Sequence, residues 1–368
     1  MQFLETNARR VVIKIGTHSI ADADGSLMIE RIQSLCQQIA GLKENGIEVL
    51  VVSSGAVGMG VGTLRLEERP SDLASLQACA AVGQSRLMEA WQGSLEFHGF
   101  TAAQVLLTRE DIGGRNRHLA VRNTMEKLLT MGVVPVVNEN DTVSADEIKF
   151  GDNDVLSALL ASLLKADLLV ILSTIPGLME NQGKGALVPV VTSIDDTIRS
   201  MAGAAGNAHS TGGMVTKIEA ADLATRSGCG VFIGSAAENG ILQKIHDGTA
   251  TGTFFVPQSI PLASRKRWIA FFEKPAGALY LDPGAAKAVL ERNSSLLAKG
   301  VTACEGSFAE GAVTTLHGPD GSLIGRGIVA YDSTVLEAIL GKDTSEIKAL
   351  HPERSRCEVV HRDSLVLI

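Results

Sequence analysis

Short apolar runs alternate with longer segments of helical periodicity as far as Phe255, and this alternation limits the fold more than any other feature. The runs predict buried β-strands at Val11–Ile15, Glu48–Val52, Ala102–Leu107, Val133–Val137, Leu168–Leu172 and Val231–Ile233. The segments between them predict helices near Met28–Glu44, Leu73–His98, His118–Met131, Val155–Lys165 and Lys217–Ser227. Such alternation is typical of an α/β fold, with a mostly parallel sheet sandwiched between helices.

The pattern changes after Phe255. A stretch with three prolines and the basic trio Arg265, Lys266 and Arg267 reads as a linker. Beyond it the predicted elements are shorter: strands at Ala278–Leu281, Ala312–Leu316 and Leu323–Ala330, and a helix near Ala285–Arg292. The turn HGPDG between the last two strands indicates a hairpin. We therefore predict a first domain over residues 1–257, a linker over 258–275, and a small β-rich domain over 276–368.

Composition excludes several classes of protein. The 368 residues include 33 Lys plus Arg against 41 Asp plus Glu, a net charge of -8, so the whole chain has no electrostatic bias towards nucleic acid. Lys165 and Asp167 interrupt the most hydrophobic window, which argues against a membrane span. The five cysteines are scattered and include no C-x-x-C pair, as expected of a reduced cytoplasmic protein. The dispersed histidines give a zinc site little support.

Polar residues cluster where the fourth predicted strand ends. The stretch VVPVVNENDTVSADEIKFGDND places NEND and GDND close together, with Asn138, Asn140, Asp141, Asn153 and Asp154 as candidate ligand contacts. In open α/β sheets, ligands bind outside the carboxyl ends of the strands. Asn, Asp and Gly also form ordinary turns, and for any single residue a turn explains the sequence better. Two clusters so close together favour a binding site.

Two strand-to-helix junctions carry features of anion sites. Lys14 lies near the end of the first strand and is followed by Gly16, which would let a phosphate approach the backbone. A lysine extending from a strand end into solvent explains that position equally well. After the second strand, Ser53–Gly58 would leave backbone N–H groups free at a helix start, and such groups bind anions.

A third candidate is the glycine-rich segment STGGMVTK, residues 210–217, which leads into a helix. Lys217 would oppose the helix dipole, and a bound anion would offset this; a flexible surface loop is the simpler explanation of the motif alone. The common P-loop and Rossmann fingerprints are absent from the sequence. Two lysines, two glycine-rich loops and a carboxylate cluster at one sheet edge are suited to phosphoryl transfer.

At these residues the chain resembles the amino acid kinase family. The similarity runs almost end to end, through VVIKIGT, VVSSGAVGMG, AAVGQSRLM, LLTRED, PVVNENDTV, EIKFGDNDVLSAL, STGGMVTK and RKRW. The C-terminal domain resembles a PUA domain. The resemblance implies ATP-dependent phosphorylation of the γ-carboxylate of L-glutamate to L-glutamate 5-phosphate, the first step of proline biosynthesis.

The resemblance also implies roles for individual residues. Lys14 and Lys217 would neutralise the transferring phosphoryl group and Asp154 would orient them, whereas Ser54, Asp141 and Asn153 would hold glutamate. The residues expected to contact ATP are Lys14, Ser173, Thr174, Thr211, Gly212, Gly213, Met214, Val215, Thr216 and Lys217. Mg²⁺ would be held by the phosphates of ATP and by water, with no protein metal site. The family usually has an aspartate at the position of Thr174, so the resemblance leaves nucleotide affinity and base preference open.

Further expectations come only from the resemblance. They are feedback inhibition by proline, a homo-oligomer (dimer or tetramer) and hand-off of product to glutamate-5-phosphate reductase. A cytoplasmic location without membrane association is expected from the cysteines and the interrupted apolar window. The competing hypothesis is an RNA-binding PUA protein with a vestigial kinase domain, in which the basic trio at residues 265–267 would contact phosphates. The aromatic content of 4% offers few surfaces on which RNA bases could stack.

Overall fold

The computed structural model describes residues 8–22, 27–113, 115–143, 153–202, 213–259, 266, 268–352, 354 and 357–368. The chain forms two compact units, residues 1–261 and 262–368. Each unit has a hydrophobic core of its own.

In the described part of the first unit, eight strands form one sheet in the order β3-β4-β2-β1-β5-β7-β8-β6. Their bounds are β1 Arg10–Ile15, β2 Glu48–Ser53, β3 Ala102–Leu107, β4 Val134–Glu139, β5 Leu168–Ser173, β6 Val190–Val191, β7 Gly230–Ser235 and β8 Gly252–Phe255. All neighbours are parallel except β7 and β8. The central strands are buried along almost their whole length, because helices cover both faces of the sheet.

The helices of this unit follow the strands in sequence. They are α1 Thr17–Ile20, α2 Ile29–Glu44, α3 Ala56–Thr63, α4 Leu73–Glu96, α5 Arg109–Gly113, α6 Arg115–Thr130, α7 Asn153–Leu164, α8 Glu180–Gly183, α9 Asp196–Met201, α10 Met214–Arg226 and α11 Ile241–His246. Most are amphipathic, but α7 is buried on nearly every side. The apolar window that begins in α7 is thus divided between this buried helix and strand β5.

In the described residues of the second unit, six strands form a sheet in the order β10-β14-β13-β12-β9-β11. Their bounds are β9 Gly277–Leu281, β10 Leu296–Leu297, β11 Val301–Glu305, β12 Val313–His317, β13 Leu323–Val329 and β14 Glu358–Leu367. The other elements of this unit are a π-helical turn over Trp268–Phe272, a 3-10 helix over Ala298–Gly300, and the helices α12 Pro283–Arg292, α13 Ser333–Ile339 and α14 Thr344–Leu350. Strands β12 and β13 pair antiparallel across the turn after His317, so the predicted hairpin is confirmed.

The predicted architecture is confirmed in both units. The six strands predicted in the first unit all form, with bounds shifted by at most two residues. The two further strands, β6 and β8, were not predicted. Part of the predicted linker over 258–275 lies outside the described residues, and the predicted domain boundaries remain a proposal.

Candidate active site

Segments distant in the sequence meet at the carboxyl edge of the first sheet. Lys14 lies on β1, Ser54 follows β2, Asn138 lies near the end of β4, and Asp154 is the second residue of α7. Strands β4, β2, β1 and β5 are neighbours, so their ends lie side by side. The Ser54 N–H donates to the Ile15 carbonyl oxygen at 3.1 Å, which joins the ends of β1 and β2.

The carboxylate of Asp154 bridges the two lysines predicted to act on the phosphoryl group. Lys14 Nζ lies 2.6 Å from Asp154 Oδ1, and Lys217 Nζ donates to Asp154 Oδ2 at 2.9 Å. All three residues are buried, with exposed fractions of 4% for Lys14, 3% for Lys217 and 0% for Asp154. Among the described residues, two ammonium groups share this one carboxylate, an arrangement suited to an anionic ligand.

The start of α10 holds Lys217 in place. Gly213 precedes the helix in extended conformation, and the Thr216 hydroxyl donates to the Gly213 carbonyl oxygen at 2.9 Å. The same hydroxyl lies 3.2 Å from Asp154 Oδ2. Lys217 therefore points into the site from the first turn of a helix, where its charge opposes the helix dipole. The Asp154 carboxylate offsets that unfavourable position.

A cluster of carboxamides lies beside the lysine pair. Asn153 Nδ2 donates to Ser54 Oγ at 2.7 Å and to Asn138 Oδ1 at 3.0 Å. Asn138 Nδ2 in turn donates to Gln84 Oε1 at 2.9 Å. Asn138 and Gln84 are buried, so the cluster is a fixed polar network within the core. It brings together Ser54 and Asn153, two of the three residues predicted to bind glutamate.

The third predicted glutamate contact, Asp141, lies in the turn just after β4. Its side chain is partly buried, and desolvation raises the pKa of the carboxyl, although the charge of Arg69 lowers it in part. The described part of the chain gives Asp141 no hydrogen bond to Ser54 or Asn153. It lies at the same sheet edge, and a partly desolvated carboxylate there favours a cationic ligand group.

Helix packing sets the position of Gln84. Helices α3 and α4 cross so closely that a Cβ added at Gly83 would overlap the Ala56 carbonyl oxygen, and one at Gly60 would overlap Cys79. Gly55, which precedes α3, has φ 113°, a conformation that favours glycine. Gln84 follows Gly83 in α4, so the close crossing of the two helices holds Gln84 against β4, where it contacts Asn138.

The predicted ATP contacts are placed only in part. Ser173 ends β5, next to β1 in the sheet, and the exposed Thr174 follows it. Gly213, Met214, Val215 and Thr216 form the start of α10 and the residue before it. Thr211 and Gly212 lie outside the described residues, as do Arg265 and Arg267 of the basic trio. The described structure therefore does not test these nucleotide contacts as a set.

One residue of the network, Gln84, was not predicted as a site residue. Gln84 lies within the AAVGQSRLM motif, where a single glutamine on an otherwise apolar helix face was the available signal. Asn138 was a candidate ligand contact, but its link to Asn153 and Gln84 is visible only in three dimensions.

The described residues contain no group of three or more His, Cys, Asp or Glu side chains arranged to hold a metal ion. Asp154, the buried carboxylate nearest the site, is already paired with two ammonium groups. Within the same described residues, every helix is too short or too polar to cross a membrane.

Comparison with known proteins identifies two regions of similarity. Residues 9–235 match the model of the amino acid kinase family, and residues 277–351 match the model of the PUA domain.

Three curated relatives, each named glutamate 5-kinase, align over nearly the whole chain. The relative from Trichlorobacter lovleyi is 45% identical over 364 residues, 98% of this chain and 97% of its own length. The relative from Syntrophotalea carbinolica is 44% identical over 99% of this chain and 98% of its own length. That from Thermoanaerobacter sp. is 42% identical over 98% of both chains.

Proposed function

The chain belongs to the amino acid kinase family, and from this premise we propose that it transfers the γ-phosphoryl group of ATP to the γ-carboxylate of L-glutamate. The product is L-glutamate 5-phosphate, and the reaction is the first step of proline biosynthesis. The observation that carries the proposal is the buried arrangement of Lys14, Asp154 and Lys217, in which two ammonium groups share one carboxylate.

The chemistry of this reaction needs positive charge more than it needs a base. A glutamate γ-carboxylate, with an ordinary pKa of about 4.3, is ionised near pH 7 and can attack phosphorus without losing a proton. The nucleophile and the γ-phosphate are both anions, so their approach is opposed by repulsion. Two desolvated ammonium groups reduce that repulsion and stabilise the charge on the transferring oxygens.

In this proposal Asp154 positions the two lysines and does not contact the reacting atoms. It holds both Nζ atoms through its two oxygens and so fixes the distance between them before the substrates bind. A preorganised pair of charges requires little rearrangement as the transition state forms. The Thr216 hydroxyl, which lies 3.2 Å from Asp154 Oδ2, restrains the same carboxylate when it donates there and not to the Gly213 carbonyl oxygen.

We assign glutamate recognition to Ser54, Asn153 and Asp141. Ser54 and Asn153 are hydrogen-bonded to each other at 2.7 Å. Asp141 supplies a partly desolvated carboxylate that would pair with the α-ammonium group. The expected ATP contacts are Ser173, Thr174 and the segment from Thr211 to Lys217.

Mg²⁺ enters the proposal as a partner of ATP. With Asp154 engaged by two lysines, the described residues suit a metal that is bound through phosphate oxygens and water. When bound, Mg²⁺ would supply further neutralisation of phosphate charge. Assembly as a homo-oligomer, inhibition by proline and hand-off to glutamate-5-phosphate reductase remain predictions from the family resemblance, and cytoplasmic location remains a prediction from the cysteine pattern.

The RNA-binding alternative is not favoured. The curated relatives named glutamate 5-kinase cover the first unit as well as the PUA match, and the kinase-type lysines and carboxylate of that unit are all present. A kinase domain that had lost its activity would not be expected to keep Lys14, Asp154 and Lys217 together in a buried site.

An assay of ADP release tests the proposal. The purified chain is incubated with MgATP and, separately, with glutamate, aspartate and N-acetylglutamate, and hydroxylamine traps any acyl phosphate as a hydroxamate. We expect ADP and hydroxamate in equal amounts with glutamate and neither above background with the other two. Absence of hydroxamate with glutamate would overturn the proposed function.

A further inference from the structure

The amide of Asn153 is held in a single orientation. Its Nδ2 has two hydrogens, and its two acceptors, Ser54 Oγ at 2.7 Å and Asn138 Oδ1 at 3.0 Å, use both. Asn153 Oδ1 must then face away from both partners. Among the described residues this buried oxygen has no hydrogen-bond donor, so it is an acceptor available to a ligand.

The orientation of Asn153 depends on Asn138. The Glu139 backbone N–H, which can only donate, lies 2.9 Å from Asn138 Oδ1 and so identifies that atom as the oxygen. The opposite end of the Asn138 amide must therefore be the donor Nδ2. Because Asn138 is buried, this nitrogen needs an acceptor that does not come from solvent.

Gln84 provides that acceptor. Its Oε1 accepts from Asn138 Nδ2 at 2.9 Å, and its own Nε2 is buried with no partner among the described residues. The contribution of Gln84 to the network is thus one acceptor oxygen. The carboxamides form a chain in which Gln84 holds Asn138 and Asn138 holds Asn153, which leaves Asn153 Oδ1 as an acceptor without a donor among the described residues.

We propose that Gln84 is a positioning residue that acts through Asn138 to hold Asn153 Oδ1 as an acceptor for the α-ammonium of the substrate. This inference rests on the proposed function and specifies how that site selects its substrate. An unfilled acceptor oxygen, supplemented by the Asp141 carboxylate, favours a primary ammonium with three N–H donors. It disfavours an acylated amine, which is uncharged and offers a single donor. If Asn153 turned over, its Nδ2 would face the ammonium and repel it.

The test measures discrimination for the α-ammonium directly. Dissociation constants of glutamate and of glutarate, which lacks the ammonium group, are determined in the presence of a non-hydrolysable ATP analogue. The proteins are the wild type, Gln84→Leu, which removes the acceptor, and Gln84→Glu, which keeps an acceptor oxygen at the same position. Gln84→Met serves as a second acceptor-free variant should the branched leucine not fold, and thermal unfolding establishes that each variant is folded.

We expect the preference for glutamate over glutarate to fall by about tenfold in Gln84→Leu and Gln84→Met, the scale of one lost hydrogen bond to a charged group. Gln84→Glu should keep a preference close to that of the wild type. Equal weakening of both ligands in the acceptor-free variants, or an unchanged affinity for glutamate, would overturn the role of Gln84. Wild-type protein that forms no hydroxamate from glutamate would instead overturn the proposed function, so the two failures are distinguishable.

Discussion

At the scale of single residues, the candidate site depends on charged groups whose solvation has been removed. Asp154 is stabilised in the core by two ammonium groups, whereas Asp141 is partly desolvated and, among the described residues, is offset only by the charge of Arg69. A buried charge that is paired supports the fold, and one that lacks a partner costs stability until a ligand supplies it. Neutralising Asp154 should therefore lower the stability of the protein, whereas neutralising Asp141 should raise it.

Asp154→Asn should lower both stability and activity. Neutralising the shared carboxylate leaves Lys14 and Lys217 facing each other in a buried site, and loss of one partner from a buried ion pair costs about 3–5 kcal/mol. We expect a lower free energy of unfolding in urea and a large fall in kcat. Asp167→Asn is the matched control, since Asp167 accepts from the Arg9 and Arg10 backbones at the opposite end of the strands. A kcat in Asp154→Asn equal to that of the control would contradict the assigned role.

Asp141→Asn should stabilise the ligand-free protein at neutral pH while raising the KM for glutamate. Desolvation raises the carboxyl pKa above its ordinary value of 3.8, so the native state binds the proton more tightly than the unfolded state does. The cost of the ionised carboxylate is complete above the folded-state pKa and disappears as the pH falls through it. We therefore expect the variant to have the higher free energy of unfolding in urea at pH 7, and the difference from the wild type to become smaller as the pH is lowered to 4. If the difference in the free energy of unfolding instead became larger on acidification, a cation would be stabilising Asp141 in the ligand-free protein.

At the scale of elements, the close crossing of α3 and α4 connects packing to the site. Gly60 and Gly83 allow the two backbones to touch, and the residue next to Gly83 is the glutamine that holds Asn138. The β2-to-α3 junction bears Ser54, so both helices contribute to the same polar network. A displacement of either helix should therefore weaken substrate binding more than it changes the positions of Lys14 and Lys217.

Gly83→Ala should therefore destabilise the protein and weaken glutamate binding. The added methyl group overlaps the Ala56 carbonyl oxygen, and this atom belongs to the helix backbone and cannot rotate away. Overpacking of this kind costs about 1–3 kcal/mol. Gly93→Ala, in the same helix, is the control: an added Cβ there meets nothing within 4 Å, and the substitution should stabilise α4 by about 0.5–1 kcal/mol. Equal thermal stability of the two variants would contradict the packing argument.

The sequence predicted the elements better than the contacts between them. Runs such as Leu168–Leu172 were identified because a buried parallel strand is apolar throughout. Strands β6 and β8 were missed because β6 has only two residues and GTFF in β8 lacks a long apolar run. Gln84 could not be predicted, since its bond to Asn138 joins residues 54 positions apart and depends on the helix crossing. From the residues alone, Lys14 and Lys217 indicated anion sites, and only the family resemblance implied that they share Asp154.

At the scale of the whole molecule, the described catalytic candidates all belong to the first unit. Lys14, Ser54, Asn153, Asp154 and Lys217 precede residue 262, where the second unit begins. The second unit has its own core, in which Leu336 is completely buried. The proposed chemistry therefore does not require side chains of the PUA-type unit.

Leu336→Ala should destabilise the second unit without altering the kinetics of the first. Truncating a fully buried leucine costs about 2–5 kcal/mol, so calorimetry should show a lower midpoint for unfolding of the second unit. The KM for glutamate and kcat should match the wild type at temperatures where both units are folded. A changed KM under those conditions would show that the second unit influences the glutamate site.

The most direct measurement of the central claim is single-turnover formation of glutamyl hydroxamate by Lys14→Ala and Lys217→Ala at saturating ATP and glutamate. If the lysines stabilise the transferring phosphoryl group, each variant should lose at least about 10²-fold in rate, the scale expected for removal of one preorganised donor. Native circular dichroism spectra would establish that the variants are folded. A rate equal to that of the wild type in either folded variant would contradict the claim that these two lysines carry the phosphoryl transfer.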